Sequence, residues 1–139
     1  KIRDEMQTTM MDHCGVYRTA ETLTRARDDI AALKARYRKV GIQDRGTVFN
    51  TNLLEVLELG CLLDLAEATV AAALARTESR GAHSREDFPD RDDERFFKHS
   101  VIFFNGDAQP RVEYKDVDVL YVEKDGERKP KYPLEVRKY

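Results

Sequence analysis

The sequence predicts a mainly α protein in which helices come first and short strands last. Three observations carry that prediction. Apolar residues recur every seven positions between Leu23 and Val40, a long apolar run extends from Leu53 to Leu74, and after Pro89 the pattern changes to short apolar runs broken by turn residues. A length of 139 residues suits a single hydrophobic core.

The first predicted helix covers about Ile2 to Tyr17, with Ile2, Met6, Met10 or Met11, Cys14 and Val16 near helical spacing. Thr19 is placed to cap the second helix, and Glu21 lies in its first turn, where a negative charge meets the positive end of the helix dipole. The second helix has the cleanest periodicity of the chain. Leu23, Ile30 and Tyr37 form one heptad row and Ala26, Leu33 and Val40 another, flanked by Arg25, Arg27, Asp28, Asp29, Lys34, Arg36 and Arg38. Gly41 is placed to stop it.

Asn50, Thr51 or Asn52 can cap the third helix, with Glu55 at capping-box spacing from Asn52. Its polar stripe is narrow, consisting of Glu55, Glu58, Asp64 and Glu67. Leucines and alanines occupy the remaining circumference, so this helix requires more cover than two partner helices supply, and the excess predicts a missing neighbour.

Beyond Pro89, Asp90 to Lys98 suits a short helix begun by acids. Val101 to Phe104 and Arg111 to Tyr114 read as strands joined through Asn105-Gly106, Val117 to Val122 as a further strand, and Lys124 to Glu127 as a turn. The basic segment Lys129 to Tyr139 reads as extended. Residues 1–79 form the predicted helical region, 80–98 a charged loop with room for a short helix, and 99–139 a β-hairpin with an extended tail. So few strands make no core of their own and must lie on the helices or on another chain. The chain begins at Lys1 in a segment that already reads as structured, which predicts a piece of a longer polypeptide.

Composition narrows the functional classes. A net charge of -2 gives no electrostatic pull toward nucleic acid or an anionic membrane. No apolar run predicts membrane insertion, and no segment resembles a signal peptide. Cys14 and Cys61 lack metal-type spacing and read as buried free thiols. His83 and His99 have no cysteine beside them, and His13 has no paired ligand, so no metal site is predicted. Acid pairs such as Glu86-Asp87 and Asp92-Asp93 point apart on an extended chain or offset a helix dipole, which suits neither general acid nor general base. No nucleophile–His–acid order, glycine-rich phosphate loop or nucleotide motif is present. The residues predict no catalytic or cofactor-binding group.

The segment from Glu78 to Asp93 is the most ordered mixture of charges in the chain. Arg80, Arg85 and Arg91 alternate with Asp87, Asp92 and Asp93, with His83 and Gly81 between them. Arginine suits planar, two-pronged pairing with carboxylates. One reading is intrachain pairing to Glu78, Glu86, Asp92 or Asp93, each exposed pair contributing at most about 1 kcal/mol. The other is an interdomain latch built from Arg80, His83, Arg85, Asp87, Arg91, Asp92 and Asp93. Both stay open on the residues alone.

The string Glu78-Ser79-Arg80-Gly81-Ala82-His83-Ser84-Arg85-Glu86-Asp87, with Arg91-Asp92-Asp93 and Phe97-Lys98-His99-Ser100, resembles the C-terminal region of the succinate dehydrogenase/fumarate reductase flavoprotein subunit. Glu5-Met6-Gln7, Gly15-Val16-Tyr17-Arg18, Phe49-Asn50-Thr51, Leu57-Glu58-Leu59 and Arg111-Val112-Glu113-Tyr114 extend the likeness. The closing Val136-Arg137-Lys138-Tyr139 resembles succinate dehydrogenases more than fumarate reductases. The resemblance implies a three-helix up-down bundle, similar to a spectrin repeat, followed by the hairpin and tail. It implies a parent that oxidises succinate to fumarate, with electrons passing from FAD to an iron-sulfur subunit and quinone, in a membrane-bound complex on the cytoplasmic face of the inner membrane. It also implies that the family's catalytic and flavin-linking residues precede this region, leaving none here, and that the flavin-binding and capping domains of the same subunit are the neighbours. A second reading is an independent helical interaction module whose Leu23, Ile30 and Tyr37 row pairs with a separate protein. Under either reading the exposed apolar surface allows the chain to self-associate.

Overall fold

A computed structural model describes residues 1–104 and 109–132. Three long helices, one short helix and three separate two-stranded pairs make up the described chain.

Helix α1 spans Ile2–His13 and buries Met6. It ends at His13, four residues before the predicted boundary, with Cys14 as its C-cap, and Tyr17–Arg18 is instead strand β1. The reason is a partner remote in sequence. β1 pairs in parallel with β2, Ser84–Arg85, matching Tyr17 to Ser84 and Arg18 to Arg85. A strand therefore sits between the first two helices, and the order is not simply helices then strands.

Helix α2 spans Ala20–Tyr37. Thr19 caps it, accepting from the Thr22 N–H at 3.1 Å while the Thr22 hydroxyl accepts from the Thr19 N–H at 3.0 Å. Leu23, Ala26, Ile30 and Leu33 are its buried residues, so the heptad seam is consumed inside this chain, against the reading in which it pairs with a separate protein. Val40 lies beyond the helix end and is not part of the buried row. The helix stops before Gly41, and at its last residue the Tyr37 hydroxyl donates to the Val56 carbonyl at 2.9 Å. Gly60 makes that approach possible, since a Cβ there would lie 2.5 Å from the Tyr37 hydroxyl oxygen.

Helix α3 spans Thr51–Ala75. Asn50 is the cap used, accepting from the Leu53 N–H at 2.8 Å, so Glu55 is not in capping-box position. Two core clusters lie along the three helices. Met6, Ile30, Leu33, Leu63 and Ala66 form one; Cys14, Leu23, Ala26, Val70 and Ala73 form the other, and Met10 packs against both. Ion pairs stitch the outside: Arg3 with Glu58, Arg36 with Glu5, and Lys34 with Asp64 and Glu67.

Only one face of α3 is used this way. Leu63, Ala66, Val70 and Ala73 are buried, whereas Leu54, Leu57 and Leu65 are 66%, 56% and 64% exposed. At 100° per residue, Leu54, Cys61, Leu65, Ala68 and Ala72 fall on the side opposite the buried face, making a second apolar stripe. Cys61, expected to be buried, lies exposed on this stripe; both cysteines are free thiols.

Asp92 caps the short helix α4, Asp93–Phe96, accepting from the Arg95 N–H at 2.9 Å. Strands β3, Lys98–Phe103, and β4, Arg111–Asp116, pair antiparallel, with Lys98 opposite Asp116 and Phe103 opposite Arg111. This hairpin rests on the end of α3, where the Tyr114 hydroxyl donates to the Ala75 carbonyl at 3.1 Å and Phe96 meets Tyr114 edge to face. The expected strand Val117–Val122 is displaced. Strand β5 is Tyr121–Lys124 and pairs with β6, Glu127–Pro130, through Asp125 and Gly126 at φ 57° and 76°, as a tight hairpin turn requires. Part of the segment expected to be an extended tail is therefore a strand. The predicted Asn105-Gly106 loop tip and the Val136 to Tyr139 tail lie outside the described residues.

Candidate functional site: a charged clasp at the helix ends

The charged segment folds around a residue that entered the sequence argument only as one pairing partner among several. Glu78 is fully buried. Its carboxylate accepts from Arg80 Nε at 2.8 Å and Nη2 at 2.9 Å, from Arg76 Nη1 at 2.6 Å, and from the Asp92 N–H at 2.9 Å. Burial by itself raises a carboxyl pKa; the bonds from Arg80, Asp92 and Arg76 outweigh it and hold Glu78 below its ordinary value. Arg80 continues to Asp93 Oδ1 at 2.6 Å, and Arg91 meets the other Asp93 oxygen at 2.7 Å. Arg76 also donates to the Phe96 and Lys98 carbonyls, at 2.8 and 2.7 Å, and to Ser100 Oγ at 3.0 Å. The helical region is tied in this way to the β3–β4 hairpin.

The backbone makes this arrangement possible. Arg80 and His83 exchange two backbone hydrogen bonds across a turn in which Gly81 takes φ +58°. The Ser79 hydroxyl accepts from the Arg85 N–H at 2.8 Å and donates to the Phe88 carbonyl at 2.9 Å, which folds the loop back on itself.

Arg85 is buried, at 1% exposure. Nε and Nη2 grip both oxygens of Asp87 at 2.7 and 2.8 Å. Nη1 donates to the carbonyls of Ala73, Leu74 and Arg76 at 3.1 to 3.4 Å, groups that the end of α3 leaves without intrahelical partners. Asp87 in turn accepts from the Ala20 N–H at 2.8 Å, at the start of α2. The cation thus sits at the negative end of one helix and the anion at the positive end of another, joined by a two-pronged ion pair. The Arg85 bond first, with the Ala20 N–H also contributing, draws the Asp87 pKa down from 3.8 to about 2.

His83 is committed at both ring nitrogens. Arg18 Nη1 lies 2.9 Å from Nδ1, and Nε2 lies 3.1 Å from the Arg76 carbonyl oxygen. A guanidinium only donates and a carbonyl only accepts, which fixes the neutral tautomer with its hydrogen on Nε2. Burial lowers its pKa, and the nearby Arg18, Arg85 and Arg76 charges act in the same direction against the opposing Arg76 carbonyl bond.

The predicted residues Arg80, His83, Arg85, Asp87, Arg91, Asp92 and Asp93 are thus brought into one region, though in different duties. Arg80 pairs with Glu78 and Asp93, as the intrachain reading proposed, but Arg85 takes Asp87, which that reading did not name. The Asp92 carboxylate caps α4. Arg76 and Arg18 were missed, the first because it reads as the polar end of an apolar helix, the second because its partner is 65 residues away. Among the described residues no cluster of His, Cys, Asp or Glu is arranged to hold a metal, and no helix is long and apolar enough to cross a membrane.

What the fold and this region define is a helical module whose polar residues are arranged to fasten its own elements. A family model described as the fumarate reductase flavoprotein C-terminal region matches residues 3–139, so the chain belongs to that family. It is 47% identical over 121 residues to the fumarate reductase flavoprotein subunit of a Serratia species, and 42% identical over 117 residues to the succinate dehydrogenase flavoprotein subunit of Rickettsia conorii. Those matches cover 86% and 84% of this chain and 20% of each relative. A solved E. coli quinol fumarate reductase FrdA superposes with a TM-score of 0.83 at 44% identity, over 88% of this chain and 21% of that one. The chain spans about a fifth of the length of the relatives it matches.

Proposed function

We propose that this chain is the non-catalytic C-terminal helical domain of a flavoprotein subunit that interconverts succinate and fumarate. In that parent, FAD is held by the part of the subunit outside this chain, and electrons move between the flavin, an iron-sulfur subunit and membrane quinone, at the cytoplasmic face of the inner membrane. The family match over residues 3–139 carries the reading. The clasp supports it, because its histidine and buried carboxylate are occupied by structural partners and are not poised for proton transfer.

Within the parent, residues 1–79 act as a three-helix up-down bundle, 80–98 as the clasp, and 99–139 as the hairpin and tail fastened to it. The apolar stripe of α3 packs against the flavin-binding and capping domains. The clasp latches the domain in place: Arg80, His83, Arg85, Asp87 and Asp92 fix the loop's shape, and the partly exposed Arg91–Asp93 pair is the edge presented to a neighbour. The tail residues Val136 to Tyr139 favour a succinate dehydrogenase as the parent, although the quoted reductase identity is slightly the higher one.

The test is direct. The isolated chain should bind no FAD and turn over neither succinate nor fumarate, whereas the longer subunit should do both. Turnover by the isolated chain sinks the proposal. A longer subunit whose assembly and thermal stability survive Arg80→Ala and Arg85→Ala unchanged sinks the latch reading.

A further inference from the structure

The clasp's arginines come with acids. Arg76 and Arg80 share Glu78, Arg85 has Asp87, Arg91 has Asp93, and Arg95 lies 3.9 Å from Asp92. Arg18 departs from this pattern. Its Nε donates to the Gly15 carbonyl and its Nη1 to neutral His83, and no carboxylate among the described residues pairs with it. Arg18 is partly buried, so its charge is partly desolvated without a counter-ion, which costs free energy that a charge-assisted partner would recover.

Arg18 also lines an open cleft of about 300 Å³, together with Arg76, His83, Ser100 and Thr69, against the alanines near the end of α3. No acidic residue is among its described walls. Arg18 Nη2 makes no hydrogen bond to a described residue, and the Ser100 hydroxyl, which accepts from Arg76 Nη2, keeps its own hydrogen to donate. Two guanidinium groups, a half-buried imidazole and a free hydroxyl hydrogen thus meet at a concave site of one sign.

We propose that this cleft is a carboxylate-binding site, in which a carboxylate pairs with the free edge of the Arg18 guanidinium and accepts from Ser100. The site stands on this geometry and does not depend on the parent activity proposed above. Its occupant is either a free small carboxylate or an Asp or Glu side chain from the polypeptide outside this chain; the recognition chemistry is the same.

The imidazole of His83 reports occupancy, because a carboxylate here offsets the Arg18, Arg76 and Arg85 charges that face it. Acetate is titrated into the isolated chain at constant ionic strength, set with chloride, and the three histidine side chains are followed by NMR. The expected result is a saturable shift of His83 and a rise in its pKa, with His13 and His99 still. Arg18→Gln should weaken that binding about tenfold or more, and unchanged His13 and His99 signals establish that the variant is folded. Should Arg18→Gln unfold, Thr69→Glu carries the test, because it places an acid in the cleft from an exposed helix position. It should give His83 its bound-state shift without acetate and remove the titration.

The longer subunit separates the two sources. If a side chain fills the cleft, His83 there has the bound-state shift with no acetate added; if the ligand is free, the subunit titrates as the isolated chain does. A His83 response that is linear in acetate or equal to that to chloride, in an isolated chain and in a longer subunit whose His83 lacks the bound-state shift, would overturn the proposal.

Discussion

The clasp and the outer face of α3 adjoin each other in sequence and are opposite in character. The clasp, from Arg76 to Asp93, is dense in charge, and Arg76, Arg80, Arg85, Arg91, Asp87, Asp93 and a fully buried Glu78 all find partners within the chain. The outer face of α3 is apolar, yet Leu54, Leu57 and Leu65 face outward. Charge density, often taken as the mark of a docking surface, here marks the part of the chain that is most self-sufficient. A pair such as Arg85–Asp87 is strongest where its geometry is fixed and water is excluded, which favours partners a few residues apart in one loop. An apolar stripe has no such means of satisfying itself. It is stabilised only by being covered, so the surface that needs a neighbour is the leucine face.

The comparison breaks most visibly at Glu78. Glu78→Ala removes the shared anion and leaves Arg76 and Arg80 partly buried without it, so it should destabilise the chain by about 3–5 kcal/mol in urea unfolding. A loss below about 1 kcal/mol would mean that the network is only decorative. Leu63→Ala, on the covered face of α3, should cost about 2–5 kcal/mol. Arg85→Lys retains the charge but loses the fork that holds Asp87 and the Ala73, Leu74 and Arg76 carbonyls together; about 1.5–3 kcal/mol is expected. If lysine substitutes without loss, charge at the helix end matters and the two-pronged geometry does not.

Acid tests the clasp from another side. Asp87 has a folded pKa of about 2 against 3.8 ordinarily, so its contribution is complete above 3.8 and is lost as pH falls toward 2. The His83 pKa is also lowered, but for a base this means that the unfolded chain takes the proton first. Its contribution is complete above the ordinary value of 6.5 and declines as pH falls below it. Unfolding midpoints should therefore decline in two stages on acidification, and His83→Gln should remove the upper one alone. An unchanged upper stage in that variant would assign it to another group.

The sequence revealed these two regions to different degrees, for physical reasons. The α2 seam was legible because Leu23, Ala26, Ile30 and Leu33 repeat at helical spacing, and periodicity is a local signal. The surplus of leucine on α3 was legible for the same reason, since it exceeds what one covered face uses. The clasp was legible only as an ordered mixture. Which arginine takes which acid depends on the Ser79 and Gly81 turns, which bring Arg85 and Asp92 back beside the end of α3 and Glu78. The early end of α1 was hidden altogether, because it depends on β1 pairing with Ser84–Arg85 across more than sixty residues. Local pattern predicts which surfaces are apolar; only tertiary pairing decides which polar groups are spoken for.

The smallest expected effect on stability is the sharpest test of the contrast. The paired substitution Leu54→Gln, Leu65→Gln alters two side chains that are 66% and 64% exposed, so the unfolding free energy of the isolated chain should move by no more than about 0.5 kcal/mol. Glutamine retains helix propensity close to that of leucine, so α3 itself should persist. Association should respond instead. If the stripe is an uncovered interface, the unsubstituted chain self-associates at high concentration in sedimentation velocity, and the substituted chain sediments as a monomer. If the longer subunit covers these leucines, as proposed, the same pair should lower its unfolding midpoint, because burying glutamine amides without partners costs about 1–3 kcal/mol each. A pair that is neutral in both settings would show that the leucine face is ordinary surface, and the case for an apolar docking face would fail while the clasp stood unchanged.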